Sequence, residues 1–566
     1  MTSSSEMILS NDYADFITPT YALSEEEFAQ RFRLSGGQII SRDYGMVHLL
    51  RTSENDYFLN SVSYSAIPNL YTLLETTSLE VSGIIQTQLQ PSLNLTGKGI
   101  LLGFLDTGIN FTHPAFQNTD GSTRILRIWD QTDQTGTFPA GLPYGSVYTD
   151  EDINRALQLE DPYTAVPSRD TDGHGTFLAG AAAGSPNLTS DFTGAAPEAG
   201  ILMVKLKPAK EYLRNFYLIN PQAVAYQETD LMMAILYLLQ TARELEMPIL
   251  ICIGLGSNQG DHSGYTPLEI SLNRYESVYG VAVVCAAGNE AGRSHHFQGE
   301  IRASEEYQTV EIVVPENSSG FTLELWGKSP ELYSVGFQSP AGENIPRIPV
   351  RLQLFEEIPF ILDQTRISVR YELVQDTSGD QLIFLRFQTP SPGVWTIRVY
   401  CSNLTTGNFH MWLPITGFTD PDIIFLSPNP FTTVTAPCTS HSVISLGAYN
   451  AANGSLYLHS SRGFARNGAV KPDLCAPGVS VSGPNLRDDY TVRSGTSTAA
   501  AITAGGAALL MEWGLRQSPP RFYTNYELKN LLIRGAQRDD SLTYPNQEWG
   551  YGALNIYQVF LAISTT

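Results

Sequence analysis

Ile100-Leu101-Leu102-Gly103-Phe104-Leu105-Asp106-Thr107-Gly108 is an uninterrupted apolar run that stops on a carboxylate and a turn. A half-wet strand would alternate apolar and polar residues. A run without polar interruption needs both faces covered, which is the condition of a parallel sheet between two layers of helices. Comparable runs occur at 201–204, 249–253 and 281–287, and between them 230–245 carries apolar residues at helical spacing and stops just before Pro248. This alternation predicts a doubly wound α/β domain, whose sites form beyond the carboxyl ends of its strands.

Outward from that core the texture changes twice. From about 11 to 81 the sequence is acidic and mixed, with a helix predicted over 24–32 and a short apolar stretch at 45–50, which suits a small α+β unit. The polar stretch 86–92 reads as an exposed linker. From about 300 to 414 the period becomes two. Strands are predicted at 309–314, 321–326, 367–373, 382–387, 394–400 and 409–413, an inserted antiparallel sandwich or jelly roll. The α/β texture resumes near Val443, and 498–510 reads as a tightly packed helix of small residues.

Composition bounds the function. The chain has 566 residues, enough for two or three domains, and is 42% hydrophobic and 16% charged, as ordered globular proteins are. Acids outnumber bases 57 to 34, a net charge of −23, with no basic run to bind phosphates, so nucleic acid is excluded as a partner. Met1-Thr-Ser-Ser-Ser-Glu6 lacks a basic segment followed by an apolar one, so no signal peptide and cytoplasmic synthesis are expected, and no later run is expected to span a bilayer. Cys252, Cys285, Cys401, Cys438 and Cys475 have no paired spacing, which fits neither a disulfide framework nor a zinc site.

Three motifs carry chemistry. Asp106 ends a buried strand, where catalytic groups collect, although alone such an aspartate is more often a turn former. Asp172-Gly173-His174-Gly175-Thr176 places glycines on both sides of a histidine at the start of a small-residue helix, which allows close backbone approach. Ser494-Gly495-Thr496-Ser497-Thr498 places a serine where a helix opens, with the helix N-terminus aimed at developing negative charge; alone it equally suits a capping serine. Together they supply what a serine nucleophile needs: an imidazole to remove its proton and a carboxylate to fix and stabilise that imidazole.

The set, in the order Asp, His, Ser, resembles the subtilisin-like serine proteases over 97–289 and again over 434–560. Further matching stretches are Gly194-Ala195-Ala196-Pro197, Ala286-Ala287-Gly288-Asn289, Lys471-Pro472-Asp473 and Ala476-Pro477-Gly478. The resemblance implies a catalytic triad of Asp106, His174 and Ser497, with Asn289 donating its side-chain amide to the oxyanion beside the Ser497 N–H. It implies pocket walls from Gly254-Leu255-Gly256 and Ala286-Ala287-Gly288. Thr498 and Ala501 stand where Met and Pro are usual in the family, which points to altered packing. The long stretch between Asp106 and His174 implies an extra surface loop over 131–169, and Cys252 and Cys285, near the pocket, are expected to be buried core residues.

The overall plan is similar to that of the Csp germination proteases of spore-forming Firmicutes. That likeness implies residues 1–90 as a prodomain, which assists folding and stays bound after cleavage. It implies a catalytic domain in two parts, 97–295 and 417–566, a jelly roll at 296–416, and spore association. The protein substrate it implies is a cortex-hydrolase precursor. Self-cleavage is expected within 86–91, after Gln88. Two other readings are a catalytically silent relative acting as a germinant sensor and a general intracellular degradative subtilisin. No cofactor is expected to be required. Calcium is frequent among subtilisin relatives; no contiguous ligand loop occurs here, and the sequence leaves structural calcium open.

Overall fold

In the computed structural model, residues 4–32, 36–51, 62–73, 82–351 and 355–564 are described; Met1 to Ser3, part of the stretch without a signal pattern, lie outside them. Eight strands form the central sheet, in the order Leu474–Pro477, Ile444–Tyr449, Val281–Ala286, Ile249–Ile253, Leu101–Asp106, Gly200–Lys205, Ile125–Asp130 and Ser146–Thr149. Every neighbouring pair is parallel except the last, which is antiparallel.

The apolar runs are explained by what each face meets. Leu102 and Phe104 join one core with the helices His174–Ala183 and Thr496–Leu515, whereas Leu101 and Leu105 join a second core with the helix Glu228–Glu244. Small residues let the first helix pair approach closely: a Cβ on Gly505 would lie 2.6 Å from the Ala182 carbonyl oxygen. Helix Thr496–Leu515 is long and apolar enough to cross a membrane by length and composition, contrary to the expectation of no such run, but 89% of its apolar window is buried inside the protein.

The expected surface loop over 131–169 is partly regular. It contributes the edge strand Ser146–Thr149 and the helix Asp150–Ala156, which Thr149 and Asp152 close with reciprocal caps. The stretch read as an exposed linker is also ordered: Ile84–Leu89 is a helix with Ile84 and Thr87 buried, and Gln88 Nε2 donates to the carbonyls of Gly194 at 3.2 Å and Ala195 at 2.9 Å.

The β-rich region forms two antiparallel sheets around a third core that includes Val310, Leu323, Val335, Phe387 and Ile397. One sheet has six strands; the other has five, among them Leu332–Gln338, which the sequence reading omits, and Ile424–Phe425, which lies past the boundary expected at 416. The N-terminal unit pairs Tyr13–Pro19 with Tyr44–Leu50, and helix Glu25–Arg31 starts on a Ser24 and Glu27 capping box. It docks on the catalytic region through buried Asp15, which meets His48 Nδ1 at 2.6 Å, Lys210 Nζ at 2.9 Å and Gln227 Nε2 at 2.8 Å.

Candidate active site

Asp106 is the last residue of the central strand, and the Thr107 N–H donates to its Oδ1 at 2.7 Å. His174 opens its helix after Gly173, whose φ of +93° is left-handed and suits glycine. A Cβ on Gly175 would sit 2.2 Å from the Gly108 carbonyl oxygen, so glycine there lets the helix start against the loop that follows Asp106. The turn is held by Asp170, whose carboxylate accepts from the backbone N–H groups of Asp172, Gly173 and Thr176 and from the Thr176 hydroxyl. Asp170 is absent from the sequence-based site. Its signal is an aspartate two residues before Asp172-Gly173, a pattern typical of side-chain-organised turns.

Asp106, His174 and Ser497 meet at the carboxyl end of the sheet. His174 Nδ1 lies 2.8 and 2.9 Å from the two carboxylate oxygens of Asp106, and His174 Nε2 lies 3.3 Å from Ser497 Oγ. All three residues are buried. A carboxylate only accepts, so Nδ1 carries the proton and Nε2 is left as the acceptor for the serine hydroxyl. Ser497 is in the first turn of the twenty-residue helix Thr496–Leu515, where unpaired N–H groups and the helix dipole favour negative charge.

Asn289 is bonded to the same helix start. Its Oδ1 accepts from the Thr496 N–H at 3.1 Å and the Thr496 hydroxyl at 3.2 Å, which orients the amide nitrogen as the donor end. Gly288 has a φ of +105° and donates its N–H to Thr496 Oγ1. Of the expected pocket residues, Gly254 is in contact with the catalytic groups: a Cβ there would meet His174 Cε1 at 3.2 Å and Ser497 Cβ at 3.3 Å. Leu255, Ala286 and Ala287 are fully buried in the cores. Cys252 and Cys285 are buried free thiols, pushed up in pKa by burial and so poor nucleophiles. Among the described residues no group of three or more His, Cys, Asp or Glu could hold a metal ion.

The cleft contains a strand of the chain itself, which the sequence reading does not anticipate. Leu70–Leu73 is antiparallel to both neighbours: Leu73 and Thr72 oppose Leu255 and Gly256, and Leu70 and Tyr71 oppose Gln227 and Tyr226. Gln259 Oε1 accepts from the Leu70 N–H at 2.7 Å, and Glu228 Oε2 from the Asn69 N–H at 3.1 Å. The residue aligned with the expected pocket wall is therefore Leu73, and Gln88 is instead packed in its helix against Gly194 and Ala195.

Comparison with known proteins agrees with this geometry. The model of the subtilase family, peptidase S8, matches residues 97–320 and 404–552. The structure of the CspB protease of Clostridium perfringens is similar with a TM-score of 0.76 and 31% identity, over 86% of this chain and 98% of that one. The PII-type proteinase of Lacticaseibacillus paracasei is 24% identical over 80% of this chain, which spans 25% of that proteinase. The serine protease AprX of Bacillus subtilis is 36% identical over 145 residues, 22% of this chain and 30% of that protein. The matched stretches contain the strand that ends on Asp106, the helix that opens with His174 and the helix start at Ser497: the chain belongs to the subtilase family and is a subtilisin-like serine peptidase.

Proposed function

We propose that the chain is an endopeptidase working through an acyl-enzyme, with Ser497 as nucleophile, His174 as general base and then acid, and Asp106 as the group that fixes and stabilises the imidazolium. One observation carries this reading: His174 bridges Asp106 and Ser497 with opposite ring nitrogens. As Ser497 Oγ attacks the scissile carbonyl, His174 Nε2 takes its proton and later passes it to the leaving amine; water then attacks the ester by the reverse route. The oxyanion is received by the Ser497 N–H and Asn289 Nδ2. A fluorophosphonate probe tests the assignment. Labelling of the wild type that disappears in Ser497→Ala is expected, with turnover lost on the order of 10⁶-fold. No labelling of processed wild type separated from its cut N-terminal part would instead favour a catalytically silent sensor.

The finer reading is a germination protease that cuts an inactive cortex-hydrolase precursor. Overall likeness to the CspB protease supports it, together with the N-terminal unit and the two-sheet insertion, which we read as a prodomain and a jelly roll. Broad digestion of unfolded casein would favour a degradative role. For self-cleavage, the alignment of Leu73 with Leu255 favours a cut between Leu73 and Ile84 rather than within 86–91. The cut N-terminal part then remains in the cleft. Ser497→Ala should purify as one full-length species.

A further inference from the structure

The strand Leu70–Leu73 is led into the cleft by a channel between the catalytic domain and the inserted β-region, and most of the polar groups lining it are acceptors. On the inserted side, Glu324 accepts the Tyr64 hydroxyl on Oε1, Glu372 accepts the Tyr64 N–H at 3.2 Å, and Asp376 accepts the Ser63 hydroxyl at 2.7 Å. Arg370, paired with Glu372, donates to the Val62 carbonyl. On the catalytic side, Glu228 and Gln259 accept the N–H groups of Asn69 and Leu70. The Tyr64 ring packs 5.2 Å from that of Phe384.

Glu324 joins the two sides. Its Oε2 accepts the Gly260 N–H at 3.0 Å and the Trp326 Nε1–H at 2.8 Å, so the loop that continues from Leu255-Gly256 is tied to the insertion by the same carboxylate that holds Tyr64. The residue is buried, and its second oxygen depends on the guest segment for a donor. Withdrawal of residues 62–73 would leave Glu324 Oε1, Glu228 Oε2 and Gln259 Oε1 without these donors, a cost of the kind that only another donor-bearing chain, or water, removes. The bonds to Asn69 and Leu70 are to backbone, and the cleft pairs its guest as an added strand; neither depends on a covalent link to this protein.

We propose that this channel is an extended substrate-recognition site, in which the inserted β-region reads a polypeptide far upstream of the cut, with Glu324 taking the hydroxyl of a tyrosine nine positions (73 − 64) before the residue opposite Leu255. The substrate class follows from the lining. A donor-rich, extended segment with tyrosine, serine or basic side chains fits, and an acidic one is repelled by Glu228, Glu324, Glu372 and Asp376. The proposal rests on the peptidase reading above and gives that peptidase a preferred substrate.

Two measurements decide it. In full-length Ser497→Ala, which cannot turn over, Tyr64→Phe is expected to speed hydrogen exchange at the Leu70–Leu73 amides about tenfold, because the buried hydrogen bond between the Tyr64 hydroxyl and Glu324 is lost. In processed wild type separated from its cut N-terminal part, a peptide of sequence 62–75 is expected to be cut with kcat/KM about tenfold above the same peptide with Phe for Tyr64, the difference lying in KM. Glu324→Gln should bring that ratio towards one. Equal kcat/KM for the two peptides, an unchanged ratio in Glu324→Gln, or unaltered exchange would overturn the proposal. Probe labelling of Ser497 with no cleavage of either peptide would overturn it while leaving the peptidase reading intact. Absence of labelling in processed protein separated from its cut N-terminal part would sink that reading, and exchange alone would then decide whether the channel grips its guest.

Discussion

Two polar constructions stand in one cleft and are built on opposite terms. At the carboxyl end of the sheet, Asp106, His174 and Ser497 are buried among small residues on rigid strand and helix ends, and each is a permanent partner of the next. Along the channel, Glu228, Gln259 and Glu324 satisfy their oxygens on a segment that enters from elsewhere in the chain. Burial raises Glu228 and Glu324 to about 7, and Glu269, behind the channel, likewise to about 7. The contrast teaches a division of labour. Proton transfer needs geometry fixed before a substrate arrives, whereas recognition is remade with each guest and uses groups that are costly when empty.

Asn289 gives the larger test of that division, because it belongs to the permanent construction but acts on the guest. Asn289→Ala should lower kcat by about 10² to 10³ with little change in KM, since its amide is expected to strengthen its bond only as the oxyanion forms. Steady-state kinetics on a short reporter peptide measure this. A rise in KM at constant kcat would place Asn289 in guest binding and blur the boundary between the two constructions.

The channel acids provide a pH test whose sign is fixed by their raised pKa. With Glu228 at about 7 when folded and near its ordinary 4.5 when unfolded, the native state holds the proton between those values and the unfolded state does not. Unfolding free energy therefore falls as pH rises from about 4.5 to 7, and the loss is complete above 7. Buried His262 and His296, lowered to about 4 and about 3, act in the other direction, so the wild-type profile alone is mixed. The difference between wild type and Glu228→Gln cancels the histidines. The stability of the wild type relative to that variant should fall by on the order of 1 to 3 kcal/mol from pH 5 to pH 8, read from denaturant midpoints. A difference that does not change with pH would mean that Glu228 is ionised throughout that range.

The two constructions also differ in how far the sequence discloses them. The triad is legible because each group sits in a local pattern with a physical reason: an apolar run ending on Asp106, glycines around His174, a glycine before the helix that carries Ser497. The channel has no such pattern. Asn69, Leu70 and Tyr64 look like ordinary residues of a small unit, and their partners Glu228, Gln259 and Glu324 are separated from them by 159, 189 and 260 positions respectively. Elsewhere the misses are local. Strand Leu332–Gln338 is obscured by Ser334 and Gly336 on its alternate positions, although Tyr333, Val335 and Phe337 face the core. The helix Ile84–Leu89 is obscured because only Ile84 and Thr87 are buried on it, so its last turn runs into the polar stretch 86–92 without apolar spacing.

Thr498 is the exception that sharpens the comparison most finely. It follows Ser497 in the small-residue helix, is fully buried, and its hydroxyl has no hydrogen-bond partner among the described residues, unlike the polar atoms of the triad beside it. If the catalytic end is otherwise completely partnered, this hydroxyl is a net cost, and Thr498→Val, which keeps the shape and removes the oxygen, should raise unfolding free energy by about 1 kcal/mol. Urea midpoints of full-length protein in the Ser497→Ala background measure it without interference from self-cleavage. A loss of stability would instead show that the hydroxyl is satisfied, by water or by a group that moves, and the permanent end of the cleft would then share the guest-dependent character of the channel.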